Sequence, residues 1–257
     1  MSTTHPFEDM IGYWVVMDAP VATERIARQG YDYVCVDAQH GLLDHGGVIR
    51  ALTAVHAGGA IALAEGRPAP QAMVRVRENA PGVITQALDA GAEGVIVPMI
   101  DDAQDAARAV ASVRYPPLGE RSYGPMRSSI RVGTDLAEIN ARLRCYIMIE
   151  TRSAVENVEA IAATTGVDGL YIGPSDLRIA LGGATSIDPA VDDVFDEALA
   201  RIQRAARAAG IRACIHTASG EEARRRREQG FDMVTVASDL VHLDAAARSH
   251  LDAARAR

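Results

Sequence analysis

The chain has 257 residues and a mass of 27.3 kDa, and its 48% hydrophobic and 23% charged residues are typical of one soluble globular domain. A net charge of −8 and a pI near 5.4 argue against a surface for nucleic acid or anionic membrane, and the apolar stretches are too short to span a bilayer. Lysine and arginine total 26 and all are arginine, which excludes Schiff-base chemistry through lysine and a Walker phosphate loop. Three widely spaced cysteines and the absence of a signal-peptide pattern predict a cytoplasmic protein.

Short apolar, β-branched runs alternate with amphipathic, alanine-rich stretches along the chain. The runs predict eight strands, at residues 12–17, 33–37, 72–76, 94–99, 145–150, 169–173, 212–216 and 233–237. The stretches that follow them predict helices, at residues 21–29, 48–56, 82–89, 103–113, 154–163, 191–209, 220–229 and 240–254. Eight such units in about 250 residues predict a closed (β/α)8 barrel, a single domain over residues 1–257, rather than an open doubly wound sheet.

One long irregular segment, residues 115–134, interrupts this alternation with the sequence YPPLGERSYGPMRSSIRVGT. Its prolines and glycines argue against regular structure. A connection of this length inside a compact domain is usually functional or disordered. Because four predicted strands follow it, we place no domain boundary there.

Two carboxylates lie at adjacent strand ends, where a (β/α)8 barrel carries its chemistry. Glu150 ends the fifth predicted strand, and Asp176 follows the sixth in Gly173-Pro174-Ser175-Asp176. Oxygen ligands without cysteine suit a hard divalent ion such as Mg2+ or Mn2+. The alternative is that Asp176 caps the next helix.

His40 is the best candidate for a general base, because Asp37 lies three residues before it at a strand end and could fix its tautomer. The alternative is an ordinary surface histidine, and His45 and His216 are weaker candidates. Arg75 lies in an apolar strand and needs an anion, either a substrate carboxylate or an enolate. A structural ion pair of Arg75, or a role for Arg77 in its place, remains open at this point.

Several stretches together resemble the HpcH/HpaI family of metal-dependent (class II) pyruvate aldolases, such as the 4-hydroxy-2-oxoheptanedioate and 2-dehydro-3-deoxyglucarate aldolases. The resemblance covers nearly the whole chain, and its most specific part is the last of the stretches. They are DAPVATE at 18–24, VDAQH at 36–40, VPM at 97–99, YPPLGER at 115–121, IET at 149–151 and GVDGLYIGPSDL at 166–177.

The resemblance implies an enzyme that cleaves 4-hydroxy-2-oxo acids to pyruvate and an aldehyde through a metal-stabilised pyruvate enolate. Glu150 and Asp176 would ligate Mg2+ or Mn2+, with Co2+ as a further option, and Arg75 would bind pyruvate and stabilise the enolate. His40, oriented by Asp37, would be the acid/base. The main chain near Ser175 and Asp176 would hold the pyruvate carboxylate, and Gly173 and Pro174 are further substrate-binding candidates.

The family also implies a homo-oligomer, a hexamer built as a trimer of dimers, in which the C-terminal helix is exchanged between subunits. The segment 115–134 would lie over the site or contact a neighbouring subunit. No nucleic-acid or membrane partner is implied.

The chain departs from the family pattern at two positions. Gln39 stands where a glutamate commonly precedes the catalytic histidine, and Met148 stands where many members have glutamine. Both are substrate-binding candidates, and the loss of the glutamine at position 148 should change the rate or the choice of acceptor. Trp14, Leu42, Leu43 and His216 are candidates for the aldehyde pocket.

Two other functions remain open. The same enolate chemistry would serve oxaloacetate decarboxylation or a condensing synthase. A barrel that binds a 2-oxo acid without turnover is the third hypothesis, and the intact set of charged residues speaks against it.

Overall fold

The computed structural model describes residues 7–256, and its eight strands form a closed parallel barrel in which each strand pairs with its sequence neighbours and the last pairs with the first. This confirms the predicted fold. The strands are β1 (Met10–Val15), β2 (Tyr33–Asp37), β3 (Gln71–Arg75), β4 (Gly94–Val97), β5 (Arg144–Ile149), β6 (Gly169–Ile172), β7 (Arg212–Thr217) and β8 (Met233–Ser238).

Two strands, β1 and β4, end two residues earlier than predicted, for local reasons. β1 stops at Val15 because the N–H groups of Val16 and Met17 donate to the Asp239 carboxylate instead of to a strand. β4 stops at Val97 because Pro98 has no N–H and Met99 adopts a left-handed φ of 55°.

Helices cover the outside of the barrel, as predicted, although the helix expected at 154–163 is divided at Asn157. Among the described residues they are α1 (Pro20–Ala27), α2 (His45–Ala64), α3 (Pro81–Asp89), α4 (Ala103–Val113), α5 (Ser129–Val132), α6 (Leu136–Arg142), α7 (Arg152–Glu156), α8 (Val158–Ala162), α9 (Pro174–Ala180), α10 (Asp192–Ala209), α11 (Gly220–Glu228) and α12 (Asp239–Arg255), with a 3-10 turn at Pro189–Val191.

Helix α2 is much longer than the predicted 48–56. It begins at His45 because the Asp44 side chain accepts the N–H of Gly47, and it continues through an alanine- and glycine-rich run. By length and composition alone α2 could cross a membrane, contrary to the sequence-based expectation. It packs against α1, and 56% of its apolar window is buried within the fold, as is usual for a core helix.

The barrel interior is filled by large side chains that alternate with outward-facing ones along each strand. Tyr33 and Tyr171 both hydrogen-bond the hydroxyl of Thr235, which satisfies three buried hydroxyl groups together. Tyr171 and Met148 form the upper part of this packed interior, and they are therefore the floor on which any site at the strand ends rests.

The amino ends of the even-numbered strands share one repeated device. A glycine with a left-handed φ precedes each of these strands, and an acidic residue follows two positions after the glycine. The carboxylate of that acid accepts a hydrogen bond from a main-chain N–H of the preceding odd-numbered strand, at the second residue of that strand. The pairs are Asp32 with Ile11 (2.7 Å), Glu93 with Ala72 (3.0 Å), Asp168 with Cys145 (2.8 Å) and Asp232 with Ala213 (2.8 Å). Acidic residues at this end therefore close the barrel, and those that serve chemistry are found at the other end.

The irregular segment 115–134 lies at this amino end, so the expectation that it covers the site of its own chain is wrong. It leads from the end of α4 towards the start of β5, which places it at the face opposite the strand carboxyl ends. Arg121 pairs with Asp89 at 2.7 Å, and Arg127 donates to the Ala90 carbonyl at 2.6 Å. Contact with a neighbouring subunit stays a prediction.

The segment is also held by His56 on α2. Arg127 Nη2 donates to His56 Nδ1 at 3.0 Å, so this nitrogen carries the lone pair and the ring is neutral. Burial, together with the charges of Arg131 and Arg127, lowers the pKa of His56 to about 3.

We expect His56→Gln to reduce the loss of unfolding free energy that occurs as the pH falls below 6.5. The unfolded chain binds a proton at His56 near pH 6.5 and the folded chain does not, so the stabilisation is complete above that pH and is lost as the pH falls towards 3. Between pH 6 and 4.5 the wild type should lose about 2 kcal/mol more unfolding free energy than the variant, measured by urea denaturation. Parallel profiles would contradict this, and His250→Gln, on the exposed face of α12, is the control.

Candidate active site

A cavity of 200 Å³ opens at the carboxyl ends of the strands. It brings together nine of the residues singled out from the sequence as site candidates, and adds Tyr171 to them. Its lining is Trp14, His40, Arg75, Met148, Tyr171, Gly173, Pro174, Ser175, Asp176 and His216.

Arg75 and Asp37 form a buried bidentate ion pair beneath this cavity. The register of β2 and β3 places the two residues opposite each other, and Arg75 Nε and Nη2 lie 2.9 and 2.5 Å from the two Asp37 oxygens. Trp14 Nε1 donates to the same carboxylate at 3.2 Å. Burial alone would raise the pKa of Asp37, but Arg75 and the N–H donors outweigh it, and the pKa lies below its usual value. The pair therefore holds a fully charged guanidinium at the cavity wall.

This pairing corrects the expected role of Asp37. Its Oδ1 accepts the main-chain N–H groups of Gln39 (3.0 Å) and His40 (3.2 Å), so the carboxylate holds the turn that carries His40. Within residues 7–256 no hydrogen bond joins Asp37 to the His40 imidazole, which is exposed at the cavity mouth. The prediction that Asp37 fixes the tautomer of His40 is therefore wrong in this structure.

Two further candidates, Gln39 and Arg77, do not line this cavity. Gln39 follows Asp37 in the turn but is not among the residues that line the cavity, and its Oε1 is buried without a partner among the described residues. Arg77 is exposed beyond the end of β3 and lines a different, smaller cavity with His45. Of the two arginines only Arg75 belongs to the site, and its ion pair is part of that site.

Glu150 directly follows β5 and Asp176 lies in the first turn of α9, near enough for its charge to act on the pKa of Glu150. Glu150 is 2% exposed, and its Oε1 accepts the Met99 N–H at 2.8 Å, a contact that the left-handed turn at Met99 makes available. Burial, followed by the charge of Asp176, raises the pKa of Glu150. A Cβ atom on Gly173 would lie 2.7 Å from Glu150 Oε2, so only glycine leaves room for this carboxylate.

The carboxylate pair fits a hard divalent ion. Asp176 is in the first turn of α9 rather than at its cap, Gly173 being the cap residue, so its oxygens are not used to start the helix. No cluster of three or more His, Cys, Asp or Glu side chains suited to a metal occurs within residues 7–256. Two oxygen ligands beside an open cavity suit an ion that keeps waters or takes oxygens from a substrate.

Sequence reasoning missed two contributors to the site. Tyr171 could have been found, because it has the same strand parity as Gly173 and therefore faces the interior. The Met99 N–H carried no sequence signal, because any residue type has one. The position of Trp14 also depends on tertiary structure: β1 and β8 slip by one residue beside Ala237, which adopts a φ of 46°.

A (β/α)8 barrel with a charged arginine, an exposed histidine and a carboxylate pair at its carboxyl face is an enzyme scaffold equipped for a small anionic substrate. The chain belongs to the HpcH/HpaI aldolase/citrate lyase family, whose model matches residues 10–246. Homologues in this family are named aldolases, which are carbon–carbon lyases, and the family is generally dependent on a divalent metal.

Curated relatives and solved structures agree with this assignment. The chain is 39% identical over 244 residues to the hydroxypyruvate/pyruvate aldolase of Rhizorhabdus wittichii, covering 95% of this chain and 93% of that protein. It is 40% identical over 205 residues to the 4-hydroxy-2-oxovalerate aldolase of Novosphingobium aromaticivorans, covering 78% and 74%. A family member from Burkholderia cenocepacia, described as an HpcH/HpaI aldolase/citrate lyase family protein, superposes with a TM-score of 0.85 at 34% identity, covering 97% and 95%.

Proposed function

We propose that this protein catalyses the metal-dependent cleavage of 4-hydroxy-2-oxo acids to pyruvate and an aldehyde, and the reverse condensation. The observation that carries the proposal is a group of three charges at the strand ends: Arg75 and Asp176 line the same cavity, and the buried Glu150 carboxylate lies near enough to both for their charges to act on its pKa. The aldolases named above, which share 39% and 40% identity with the chain, support the same substrate class.

Glu150 and Asp176 would hold Mg2+ or Mn2+, with Co2+ as a further option. A divalent ion supplies Lewis acidity towards the carbonyl of a 2-oxo acid. Arg75, fixed by Asp37, donates to the oxygen that becomes negative as the pyruvate enolate forms. His40 accepts the proton of the 4-hydroxyl group, and its exposed position lets the aldehyde leave to solvent. Main-chain N–H groups at Ser175 and Asp176, in the first turn of α9, face the substrate carboxylate.

We further propose a cytoplasmic homo-oligomer, a hexamer built as a trimer of dimers. All three cysteines are free thiols and buried, which suits a reducing compartment. Large apolar side chains are exposed on the segment 115–134 and on α12, including Met126, Ile130, Val241 and Leu243, and a neighbouring subunit would cover them.

Exchange of the pyruvate methyl protons in D2O tests the proposed half-reaction. With Mg2+ or Mn2+ the wild type should exchange these protons, and EDTA should abolish the exchange. Asp176→Asn should slow the metal-dependent exchange at least about 100-fold, because it loses a charged oxygen ligand. The signal is followed by NMR.

Asp193→Asn, on the exposed face of α10, is the matched control and should exchange at the wild-type rate. Absence of exchange in the metal-loaded wild type would overturn proton transfer to pyruvate at this site. Turnover of oxaloacetate under the same conditions would then identify a decarboxylase.

A further inference from the structure

His216 is a polar side chain in the cavity wall that the proposed chemistry does not use. It is the fifth residue of β7, and its imidazole lies edge-on against Trp14, with ring centroids 5.1 Å apart. Its Nδ1 is buried and has no hydrogen-bond partner within residues 7–256. An apolar side chain would pack against the indole equally well. A buried nitrogen without a partner destabilises the fold unless a ligand satisfies it.

The position of His216 shows which part of a substrate it would meet. The Arg75 guanidinium carbon lies 5.1 Å from the centroid of the Trp14 ring, so Arg75 and His216 both pack on the same indole. If Arg75 faces the oxygen of the reacting carbonyl, His216 is beside the carbons next to it.

The protonation state of His216 indicates which kind of chemical group it would bind. Burial, followed by the charge of Arg75, lowers the pKa of His216 to about 4, so the ring is neutral at pH 7. A neutral imidazole has one N–H donor and one lone pair, and it carries no charge with which to select an anion. A hydroxyl group, which both donates and accepts, satisfies either tautomer.

We propose that His216 is a specificity-determining residue that binds a substrate hydroxyl group on, or next to, the reacting carbons. This inference rests on the proposed function. Two kinds of substrate could supply this hydroxyl group: a 3-hydroxy-2-oxo acid donor, through its C3 hydroxyl, and an α-hydroxyaldehyde acceptor.

Paired substrates that differ by one hydroxyl group test the inference. The donors are 3-hydroxypyruvate and pyruvate with acetaldehyde as acceptor, and the acceptors are glycolaldehyde and acetaldehyde with pyruvate as donor. In His216→Leu the ratio of kcat/KM for the hydroxylated substrate to that for its deoxy analogue should fall about 10-fold or more in one pair. The pair that responds identifies the source of the hydroxyl.

His216→Asn places an amide near the position of Nδ1 and should restore part of the ratio, whereas His250→Leu, on the exposed face of α12, should keep the wild-type ratio. Unchanged ratios in both pairs for His216→Leu would show that His216 only packs, and would overturn the inference.

A binding measurement separates this inference from the proposed function. In protein labelled with 15N-histidine and loaded with Mg2+, 3-hydroxypyruvate or glycolaldehyde should shift the His216 ring nitrogens more than the deoxy analogue does. The signals are assigned by their loss in His216→Asn. If the wild type turns over no pair of substrates, the proposed function fails, and this comparison still decides the role of His216.

Discussion

Replacing Arg75 with lysine is expected to lower kcat/KM for aldol cleavage by about 100- to 1,000-fold, the usual cost of removing one donor to a developing oxyanion. Lysine keeps the charge, but it cannot reproduce the two parallel bonds of Arg75 to Asp37, and its flexible ammonium would no longer be held at the cavity wall. The loss should fall mainly on kcat, because the enolate charge exists only after the ground state. Steady-state kinetics with a 4-hydroxy-2-oxo acid measures it.

Arg77→Lys is the matched control, because Arg77 is two residues further along, is exposed and does not line the cavity. It should change kcat/KM less than about 3-fold, within the range of ordinary surface substitutions. A loss in Arg77→Lys as large as that in Arg75→Lys would contradict the assignment of Arg75. The Arg75 variant should also unfold at lower urea concentration, since Asp37 is 1% exposed and loses its bidentate partner.

Replacing Glu150 with glutamine is expected to have opposite effects on stability and on metal binding. Without metal, Glu150 is a buried carboxylate that Asp176 repels, and its pKa is raised. Glutamine can still accept the Met99 N–H without carrying the charge, so the variant should gain about 1 kcal/mol of unfolding free energy at pH 7 in EDTA. Mn2+ affinity, measured by electron paramagnetic resonance, should fall by 100-fold or more.

The pH dependence of the stability gain tests its cause. A raised acid pKa in the folded state means that ionised Glu150 destabilises the protein at high pH, and that this cost disappears once the folded carboxyl is protonated. The difference between the variant and the wild type should therefore be largest above the raised pKa and vanish as the pH falls below it. A gain that does not change with pH would indicate packing instead of charge. Glu120→Gln, an exposed substitution, should show neither effect.

Much of the barrel could be predicted because its signals are local. Apolar runs with intervening helical stretches predicted all eight strands. Glu150 and Asp176 were noticed because a charge at or just beyond the end of a buried strand is costly without a partner. The long connection could not be placed in the same way. Its composition showed irregular structure, whereas its side of the barrel follows from its location between the end of α4 and the start of β5.

Asp37 shows the limit of reasoning from spacing. Its distance of three residues from His40 predicted an imidazole contact, yet its oxygens are taken by Arg75, which is 38 residues away in the chain. Proximity in sequence brought the His40 main chain within reach, while the register of β2 and β3 brought the stronger partner opposite. His216 is similar, since only packing against Trp14 shows that its nitrogen lies buried beside the cavity.

The sequence by itself determined the architecture, the strand ends that carry chemistry and the absence of any lysine-based route, because these depend on residue type and on periods of a few residues. Only the tertiary structure decided which partner each charge takes, because those contacts join residues from different strands through register, bulges and left-handed turns. Parallel strands pair residues far apart in the chain. Three features of the site depend on such contacts. They are the ion pair of Asp37 with Arg75, the buried position of Glu150 beside Met99 and Gly173, and the buried His216 nitrogen that has no hydrogen-bond partner within residues 7–256.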